Sequence, residues 1–452
     1  DQLNVLTEEK RVYPNGKLSS DILGFVGMDS GLAGLEYRFD KYLTGEQGFY
    51  IIQGDPRGVR IISSDKVLVG NVKGFSKGNR GVEASSLKGG NLVITIDYRI
   101  QYLVESLLEA NSQRVEAESG QVIVMDVKTG DIIAMADYPF FDSNQFEKEP
   151  YSILKNSCVV DVFEPGSIFK LITYAAALEE KVVTPGAMID IPETIVIQGR
   201  RIKEAHKREP EDPDQYAARD IIKKSMNVGT VLMAEKMSKK TFMNYIHSFG
   251  FGERTGIYLP GETNGLVRDI SNVYDIDQAV MSFGQGISVT GLQMLAAVSA
   301  IANDGMYVQP RIVKHQTDHD NLTLSNPATY RRRRVVSKET ARHVLAAMES
   351  VVVDGTGRYA SVNGYRIGGK TGTAQKPLDN GLGYEEDAYI ASFLGVFPIQ
   401  KPRYAVLVIV NEPQTTIWGS TAAAPLFSDI AKVLIDYSSV EPDLSKIEYV
   451  LE

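Results

Sequence analysis

The segment EPGSIFK at residues 164–170, followed by LITYAAAL at 171–178, is the stretch from which the fold can be worked out. Its Pro-Gly pair ends whatever element comes before, and the apolar, alanine-rich run after it predicts a buried helix. Ser167 therefore lies at or beside a helix N-terminus, where free backbone N–H groups can hold an oxyanion. Lys170 follows on the same helix face, and its side chain is expected to lean back toward the hydroxyl. This arrangement predicts a serine nucleophile activated by a buried lysine.

The Ser-x-x-Lys pattern is common, and a helix cap or a solvated pair explains most of its occurrences. It occurs four times in this sequence. Only at Ser167 do a helix breaker and an apolar helix surround it. The other copies lie in polar or glycine-rich stretches or ahead of β-branched residues, and they begin at Ser63, Ser85 and Ser152. Ser167 is therefore the candidate nucleophile.

Composition limits the classes of function. A chain of 452 residues is long enough for two or more domains, and its net charge of −9 gives no reason to expect nucleic acid. The one cysteine, Cys158, is predicted to be a core residue, and the five histidines form no metal-binding motif. We therefore expect neither a metal nor a cofactor. No run of 18 apolar residues is present, and the chain begins with Asp1 rather than Met, so we expect an anchoring or targeting segment to lie outside it.

The order of predicted elements indicates the fold class. Residues 1–88 are glycine-rich with short extended segments and end in a predicted linker at 70–90. After residue 89, strands come early and late, with a helical block between them and a final helix at 423–437. This order predicts an α/β (α+β) domain in which one sheet, assembled from both ends of the sequence, is covered by helices. The predicted strands are 92–96, 121–126, 131–136, 365–373, 389–396 and 404–411. Residues 185–214 are interpreted as an exposed insertion whose charges are solvated.

A second polar cluster, Ser225-Met226-Asn227, falls between predicted helices at 216–224 and 228–237. Taken alone, it favours a simple helix cap formed by Ser225 or Asn227. As part of a site, the Ser225 hydroxyl would relay a proton, and the Asn227 amide would orient Lys170 or the substrate. A second Ser-x-Asn at residues 361–363 lies in a predicted loop, so the pattern alone does not decide between the two interpretations.

A third cluster lies in GGKTGTA at residues 368–374, on a predicted extended edge. Glycines such as Gly372 let a ligand backbone approach closely. Lys370 can bind a carboxylate, Thr371 and Thr373 supply hydroxyls, and the Thr373 N–H is a candidate second oxyanion donor. The other Lys-Thr-Gly, at 128–130, has the composition of a hairpin turn.

A nucleotide-binding function competes for the same lysine. Residues 364–371 match the phosphate-binding pattern GxxxxGK[ST], and residues 122–126 resemble the acidic strand that often accompanies it. A phosphate loop needs a helix that starts at its lysine, whereas Gly372 and Pro377 follow here. The supposed acidic strand also precedes the loop by more than two hundred residues. We therefore expect no nucleotide site.

The three clusters, in this order, resemble those of the penicilloyl-serine transferases, and the wider sequence is similar to the class B penicillin-binding proteins. The similarity extends over nearly the whole chain and is closest to the division-specific, septal type. The segments that carry it are Thr95-Ile96-Asp97 with Gln101, 125–136, 139–144, 249–252, 255–262 and, before the linker, 13–14, 24–27 and 34–36. The central Ser-Met-Asn differs from the Ser-Asp-Asn of class A β-lactamases, as is normal for class B proteins.

The resemblance implies a penicilloyl-serine-transferase fold with a central, mostly antiparallel sheet, flanking helices and a helical subdomain. It divides the chain into a partial, elongated N-terminal pedestal domain with linker at 1–88 and a transpeptidase domain at 89–452. It implies a monofunctional enzyme without a glycosyltransferase domain. Catalytic roles would fall to Ser167, Lys170, Ser225, Asn227 and Lys370, and substrate binding to Thr371, Gly372 and Thr373.

The same resemblance implies a setting for the enzyme. Its substrates would be peptidoglycan stem peptides ending in D-Ala-D-Ala, and β-lactams would acylate the serine. Its partners would be a membrane glycosyltransferase and divisome proteins, at the periplasmic face of the bacterial inner membrane, with the single-pass anchor outside this chain. Alternatives are an elongation-specific transpeptidase, a β-lactamase and a non-catalytic β-lactam sensor. No carboxylate can be assigned from the sequence to the deacylating water that a β-lactamase needs.

Overall fold

The structure, a computed structural model, describes residues 10–44, 47–52, 68–69, 81–86, 89–205, 211–319, 321–325, 331–378 and 383–443. Its strands, in chain order, are β1 Gln47–Ile52, β2 Leu68–Val69, β3 Gly81–Ser86, β4 Asn91–Ile94, β5 Ser119–Asp126, β6 Ile132–Tyr138, β7 Val162–Phe163, β8 Met188–Asp190, β9 Thr194–Ile197, β10 Arg200–Lys203, β11 Gln215–Ala217, β12 Val289–Thr290, β13 Met306–Val308, β14 Val313–Thr317, β15 Thr323–Ser325, β16 Arg332–Arg334, β17 Gly368–Pro377, β18 Tyr384–Phe397 and β19 Tyr404–Asn411.

The α-helices of the described residues are concentrated between the early and late strands. In chain order they are α1 Ser20–Leu23, α2 Gly34–Arg38, α3 Asp40–Thr44, α4 Tyr98–Val115, α5 Ser157–Val160, α6 Lys170–Glu179, α7 Ala218–Lys224, α8 Asn227–Ala234, α9 Lys239–Ser248, α10 Asp275–Ser282, α11 Gly291–Ala302, α12 Lys338–Asp354, α13 Gly419–Ala422 and α14 Ala424–Ser438. Short 3₁₀ turns occupy Phe146–Lys148, Tyr151–Ile153, Gly166–Phe169, Ile270–Asn272 and Arg358–Ala360. No helix within the described ranges is long and apolar enough to cross a membrane.

The main sheet has five antiparallel strands in the order β17-β18-β19-β5-β6. Two of its strands come from residues 119–138 and three from residues 368–411, which confirms the prediction of one sheet built from both ends of the domain. β17 is an edge strand, so one side of its backbone is free of sheet pairing. The third polar cluster therefore lies on an open edge.

The central strands are buried on both faces by helices. Successive side chains of a strand point to opposite sides of its sheet, so each strand contributes to two hydrophobic clusters. In β19, Val406, Val408 and Val410 join a cluster that contains residues of α4 and α14. Leu407 and Ile409 join the opposite cluster, with residues of α6 and α11. The continuous apolar run of β19 thus reflects burial between two helical layers.

α6 lies inside the hydrophobic cluster that contains Leu407 and Ile409, and its residues from Lys170 to Leu178 are all buried. Its high apolar content follows from this position, because no face of the helix meets solvent. Cys158 is also fully buried, as the sequence predicts for a core cysteine. The candidate nucleophile Ser167 lies in the 3₁₀ turn that leads directly into this buried helix.

Residues 10–44 pack against the helices and strands after residue 89. Ile22 and Leu35 belong to the same cluster as α6, and the Phe25 ring stacks on Phe146 with centroids 4.0 Å apart. The Asn144 side chain accepts a hydrogen bond from the Tyr13 N–H and donates one to the Tyr13 carbonyl, both 2.9 Å long. The division of the chain at residues 88 and 89 into a pedestal and a transpeptidase domain stays a prediction.

Three local predictions need correction. The predicted linker at 70–90 contains β3, which pairs with β1; most of the rest of this stretch lies outside the described residues. The strand predicted at 92–96 is β4, which belongs to a separate sheet of order β15-β14-β4. The insertion at 185–214 is not wholly a solvated segment, because it contains β8, β9 and β10 and buries Ile202. In the linker and the insertion, short strands pair without the long apolar pattern by which strands are recognised, whereas β4 is recognised as a strand but joins a different sheet.

Candidate active site

Ser167 lies in the 3₁₀ turn Gly166–Phe169, which continues directly into α6 at Lys170. This confirms the predicted position at a helix start, and the side chain is half-buried. Gly166 has a φ of 52°, a conformation that favours glycine, and its N–H donates to the Gly284 carbonyl at 3.0 Å. A Cβ at Gly166 would come 3.4 Å from the Thr373 carbonyl, so the turn packs closely against β17.

Lys170 is fully buried, and its amine is directed at the second polar cluster. Nζ donates to the Ser225 carbonyl at 2.6 Å and to Asn227 Oδ1 at 2.7 Å, and it lies 3.4 Å from Ser225 Oγ. Burial lowers the pKa of Lys170 to about 7, and the negative charge of Glu204 opposes that shift. The expected lean toward Ser167 is not realised as a hydrogen bond within the described residues.

Ser225 is held between α7 and α8 in a left-handed backbone conformation, with a φ of 61°. The simple capping interpretation of this cluster is wrong, because neither the Ser225 nor the Asn227 side chain caps α8. The Asn227 amide instead donates from Nδ2 to the Lys203 carbonyl at 3.2 Å while its oxygen accepts from Lys170. The cluster therefore presents a hydroxyl and an amide oxygen to a buried amine.

Lys370 comes from β17 and reaches the same hydroxyl from the other side. Its Nζ donates to Ser225 Oγ at 2.7 Å and to the Thr371 carbonyl at 3.1 Å, and the side chain is fully buried. Burial, together with the neighbouring Lys170 charge, holds the pKa of Lys370 well below its usual range. Two lysine amines from distant parts of the sequence thus meet at Ser225.

The rest of the third cluster lines the join between β17 and the nucleophile turn. A Cβ at Gly372 would lie 2.3 Å from Ser392 Oγ and 3.3 Å from the Pro165 carbonyl, so glycine permits close packing of β17 here. The approach of a ligand backbone at Gly372 stays a prediction. Thr371 is 2.9 Å from Thr356, oxygen to oxygen, and the Thr373 hydroxyl accepts from the Gly419 N–H at 3.1 Å. The second cluster therefore contacts both Lys170 and Lys370, and the third cluster packs against the turn that carries Ser167.

The decoy patterns lie in the positions that the sequence predicts for them. Lys-Thr-Gly at 128–130 occupies the turn between β5 and β6, and residues 361–363 precede β17 in a loop. The segment 364–371 runs into β17 instead of a helix, so it does not form a phosphate cradle. No group of three metal-binding side chains occurs in the described part of the chain.

Sequence reasoning missed three residues that hold these clusters in place. Glu164 accepts from the Gly286 N–H at 2.7 Å and from the Tyr384 hydroxyl at 3.1 Å, and it precedes the Pro-Gly breaker directly. Thr356 contacts Thr371, and Glu204 accepts from the first N–H groups of α8. A position beside the breaker could have identified Glu164, whereas nothing in the sequence marks Glu204.

Comparison with known proteins extends the similarity far beyond the cleft. The family model described as the penicillin binding protein transpeptidase domain matches residues 120–432. Stage V sporulation protein D of Bacillus subtilis is 35% identical over 98% of this chain and 66% of its own length. Peptidoglycan D,D-transpeptidase FtsI of Escherichia coli K12 is 32% identical over 98% of this chain and 69% of its own. The chain thus spans about two thirds of the length of these curated relatives.

Solved structures agree with the sequence comparison. The apo crystal structure of penicillin binding protein 3 from Mycobacterium tuberculosis is 30% identical, has a TM-score of 0.82, and covers 96% of this chain and 92% of its own. The structure of the same protein complexed with ampicillin gives a TM-score of 0.83 and covers 96% and 90%. The predicted penicilloyl-serine-transferase fold, with an antiparallel sheet flanked by helices, is confirmed. This chain belongs to the penicillin-binding protein transpeptidase domain family.

Proposed function

We propose that this chain is a serine D,D-transpeptidase, which cross-links peptidoglycan stem peptides through an acyl-enzyme at Ser167 and is acylated by β-lactams. The observation that supports this most strongly is the meeting of two buried lysine amines at Ser225, beside the turn that carries Ser167. An amine kept neutral by burial can accept a proton from a serine without a histidine. Membership in the transpeptidase family favours the same chemistry.

Acylation begins when Ser167 Oγ attacks the carbonyl between the two terminal D-alanines. The hydroxyl proton passes to the neutral Lys170 amine, the new Oγ–C bond forms, and a tetrahedral oxyanion results. Collapse of that intermediate breaks the C–N bond, and the proton held by Lys170 passes through Ser225 to the leaving D-Ala amine, which restores the neutral lysine. Because the pKa of Lys170 is about 7, a substantial fraction of this amine is neutral near neutral pH.

β17 supplies substrate recognition in this proposal. The edge strand can pair with an extended peptide backbone. The N–H groups of Ser167 and Thr373 hold the oxyanion, and Lys370, Thr371 and Thr373 bind the terminal carboxylate, with Gly372 leaving room for the substrate backbone. The same groups would receive the carboxylate of a β-lactam. An amine from a neighbouring stem peptide then attacks the acyl carbon and gives one proton to Lys170; the C–Oγ bond breaks, that proton returns to Ser167 Oγ, and the new amide is the cross-link.

The biological setting follows from the resemblance to septal class B proteins. We infer a pedestal domain at 1–88, a membrane tether outside this chain, and work at the periplasmic face of a bacterial inner membrane. A membrane glycosyltransferase and divisome proteins would supply new glycan strands and the site of synthesis. A role in elongation is the alternative for the same chemistry.

One experiment tests the nucleophile. The wild-type protein is incubated with benzylpenicillin, its intact mass is measured, and the modified peptide is mapped. We expect one covalent equivalent on the peptide that contains Ser167. Ser167→Ala should abolish the adduct, whereas Ser152→Ala, at an exposed serine of another Ser-x-x-Lys, should leave it unchanged.

Two results would contradict the proposal. An adduct that persists in Ser167→Ala, with folding verified by circular dichroism, would remove the assigned nucleophile. Rapid turnover of nitrocefin by the wild-type protein, in place of one slow equivalent, would instead indicate a β-lactamase. Cross-linking of a synthetic stem peptide by the wild-type protein, lost in Ser167→Ala, would distinguish a transpeptidase from a β-lactam sensor.

A further inference from the structure

Strand β10, in the charged insertion, is fixed to the helices that border the cleft. Its Ile202 side chain is 7% exposed and packs in one cluster with Val231 of α8, Ala279 of α10 and Phe283. β10 also pairs in register with β9 from residues 194 to 197. The backbone that follows Ile202 is therefore held at one end of α8, although most of the insertion is exposed.

The two residues after Ile202 contact the start of α8. Glu204 Oε2 accepts from the Asn227 N–H at 2.5 Å, and Glu204 Oε1 accepts from the Val228 N–H at 2.9 Å. The Lys203 carbonyl accepts from Asn227 Nδ2 at 3.2 Å. A carboxylate that accepts hydrogen bonds from two N–H groups at a helix start satisfies donors that have no partner within the helix. Its negative charge also interacts favourably with the positive end of the helix dipole. Glu204 thereby performs the cap that no side chain of residues 225–227 provides.

These contacts determine which end of the Asn227 amide faces the cleft. Because Nδ2 is committed to the Lys203 carbonyl, Oδ1 is the end that meets the Lys170 amine, at 2.7 Å. An Asn227 amide turned the other way would place its Nδ2 donor against the Lys170 amine, which is also a donor. The insertion thus fixes the acceptor on which the position of the lysine depends.

We propose that Glu204 is a positioning residue of the active site, which holds Asn227 toward Lys170 through the two N–H groups of α8 and acts on the Lys170 amine with its negative charge. This inference rests on the proposed function, since it assigns Lys170 as the base. The sequence interpretation of residues 185–214 as a solvated insertion gave Glu204 no such role.

The negative charge of Glu204 opposes the effect of burial on the pKa of Lys170. Within the described ranges, the ionisable groups that interact with the amine are Lys370, from β17, and Glu204, from the segment after β10. The connection from α7 to α8 contributes the neutral Ser225 and Asn227. Burial lowers the pKa of Lys170, and Glu204 raises it. A base works best when its pKa lies near the working pH, and the carboxylate prevents a shift beyond that range.

The test compares the pH dependence of acylation in matched variants. The second-order rate of labelling by a fluorescent penicillin is measured from pH 5 to 9 for wild type, Glu204→Gln, Glu204→Asp and Glu193→Gln. Glu193 is an exposed carboxylate in the same insertion, so its variant removes an equal charge away from the cleft. Circular dichroism verifies the fold of each protein.

Glu204→Gln should move the acid limb of the profile to lower pH by roughly 0.5 unit or more, because an opposite charge near the lysine is lost. Its plateau rate should fall several-fold, since glutamine replaces one of the two acceptor oxygens by an Nε2 donor, which would oppose the N–H group that this oxygen accepts. Glu204→Asp should keep the wild-type limb at a reduced rate, and Glu193→Gln should match wild type throughout. An unmoved limb in Glu204→Gln, an equal shift in Glu193→Gln, or a wild-type rate in Glu204→Asp would overturn the inference.

A second measurement separates this inference from the proposed function. The Lys170 amine is titrated by NMR in protein carrying labelled lysine, with Lys170→Arg for assignment. A lower midpoint in Glu204→Gln than in wild type supports the electrostatic role, and an equal midpoint contradicts it. This result does not depend on acylation, whereas absence of a penicillin adduct on wild-type Ser167 would refute the proposed function alone.

Discussion

Two groups of like-charged side chains are largely removed from solvent in this protein, and their pKa values shift in opposite directions. In the cleft, the amines of Lys170 and Lys370 are both fully buried and meet at one hydroxyl. At the junction with residues 19–24, Asp21, Glu105 and Asp137 come together. Burial disfavours the charged form in both places, so the pKa values of the amines fall and those of the carboxyls rise.

The residues around the buried lysines and around the buried carboxyls determine what role each pKa shift can have. Lys170 directly follows the turn that carries the half-buried Ser167, and in the proposed mechanism its neutral amine accepts the serine proton. At the junction, the Ser19 N–H donates to Glu105 and the Asn156 amide donates to Asp21, both at 2.8 Å. These carboxyls hold the N-terminal segment against the domain. The same desolvation therefore lowers the pKa values of the amines in one region and raises those of the carboxyls in the other. We propose that it provides a base in the first region and pH-dependent packing in the second.

The largest effect should come from removing the base. Lys170→Ala and Lys170→Arg should each slow acylation by about 10² or more, because an arginine keeps the positive charge but cannot become a neutral proton acceptor. Stopped-flow measurement with a fluorescent penicillin provides the rates. Lys155→Ala, at an exposed lysine that pairs with Asp161, serves as the control. Near-normal acylation by Lys170→Arg would show that charge, not proton transfer, is what the site requires.

A smaller effect should follow from adding a charge to the cleft. Asn227→Asp places a carboxylate where the amide oxygen lies 2.7 Å from Lys170 Nζ. The pKa of Lys170 should rise by about 1–3 units, so the acid limb of the acylation profile should move to higher pH. At pH 7 the rate should fall about fivefold or more and recover partly in more alkaline buffer.

Asn363→Asp, in the second Ser-x-Asn, is the matched control for that variant and should keep the wild-type limb. An acid limb that stays in place in Asn227→Asp, or moves to lower pH, would contradict the electrostatic account of Lys170. The shift is opposite in sign to that expected of Glu204→Gln, so the two variants together test one mechanism.

The smallest effect concerns stability at the carboxyl junction. Burial raises the pKa of Glu105 and of Asp137 to about 7 and that of Asp21 well above its usual range. A carboxyl with a raised folded pKa favours folding below its unfolded pKa, about 4, and this contribution is lost as the pH rises toward 7. Asp21→Asn removes one such charge, and its new amide could donate to Asn156 Oδ1, which is buried without a partner.

Asp21→Asn should therefore raise the free energy of unfolding at pH 8 by about 1–2 kcal/mol and flatten its decline between pH 5 and pH 8. Urea denaturation at several pH values measures both quantities. Asp29→Asn, at an exposed position of the same segment, should change neither. A variant less stable than wild type at pH 8 would show that the Asp21 carboxylate is favourable when charged.

The sequence predicts the cleft better than it predicts the junction. Ser167 is identified because a Pro-Gly breaker and an apolar helix surround it, and β19 because its apolar run has a strand length. Lys370 and Ser225 are recognised through short motifs whose decoys sit in turns and loops. These signals are local, so they survive without knowledge of the tertiary structure.

Features that depend on distant partners could not be predicted. Glu204 acts on a helix that begins 23 positions later, and its charged surroundings resemble an ordinary exposed segment. Asp21 and Glu105 come from parts of the chain more than eighty residues apart, and a buried carboxyl has the same letter as a solvated one. Similarly, the sequence predicts linker at β3 because its residues, GVEASS, show no alternating hydrophobic pattern; its pairing with β1 is a feature of the tertiary structure.

The central claim is that burial makes Lys170 a neutral base for Ser167 near neutral pH. The most direct test is the second-order acylation rate of the wild-type protein from pH 5 to 9, with the adduct mapped at each pH. The account predicts an acid limb with a midpoint at about 7 and the adduct on Ser167 throughout. A rate that stays constant from pH 8 down to pH 5, or an adduct on another residue, would contradict it.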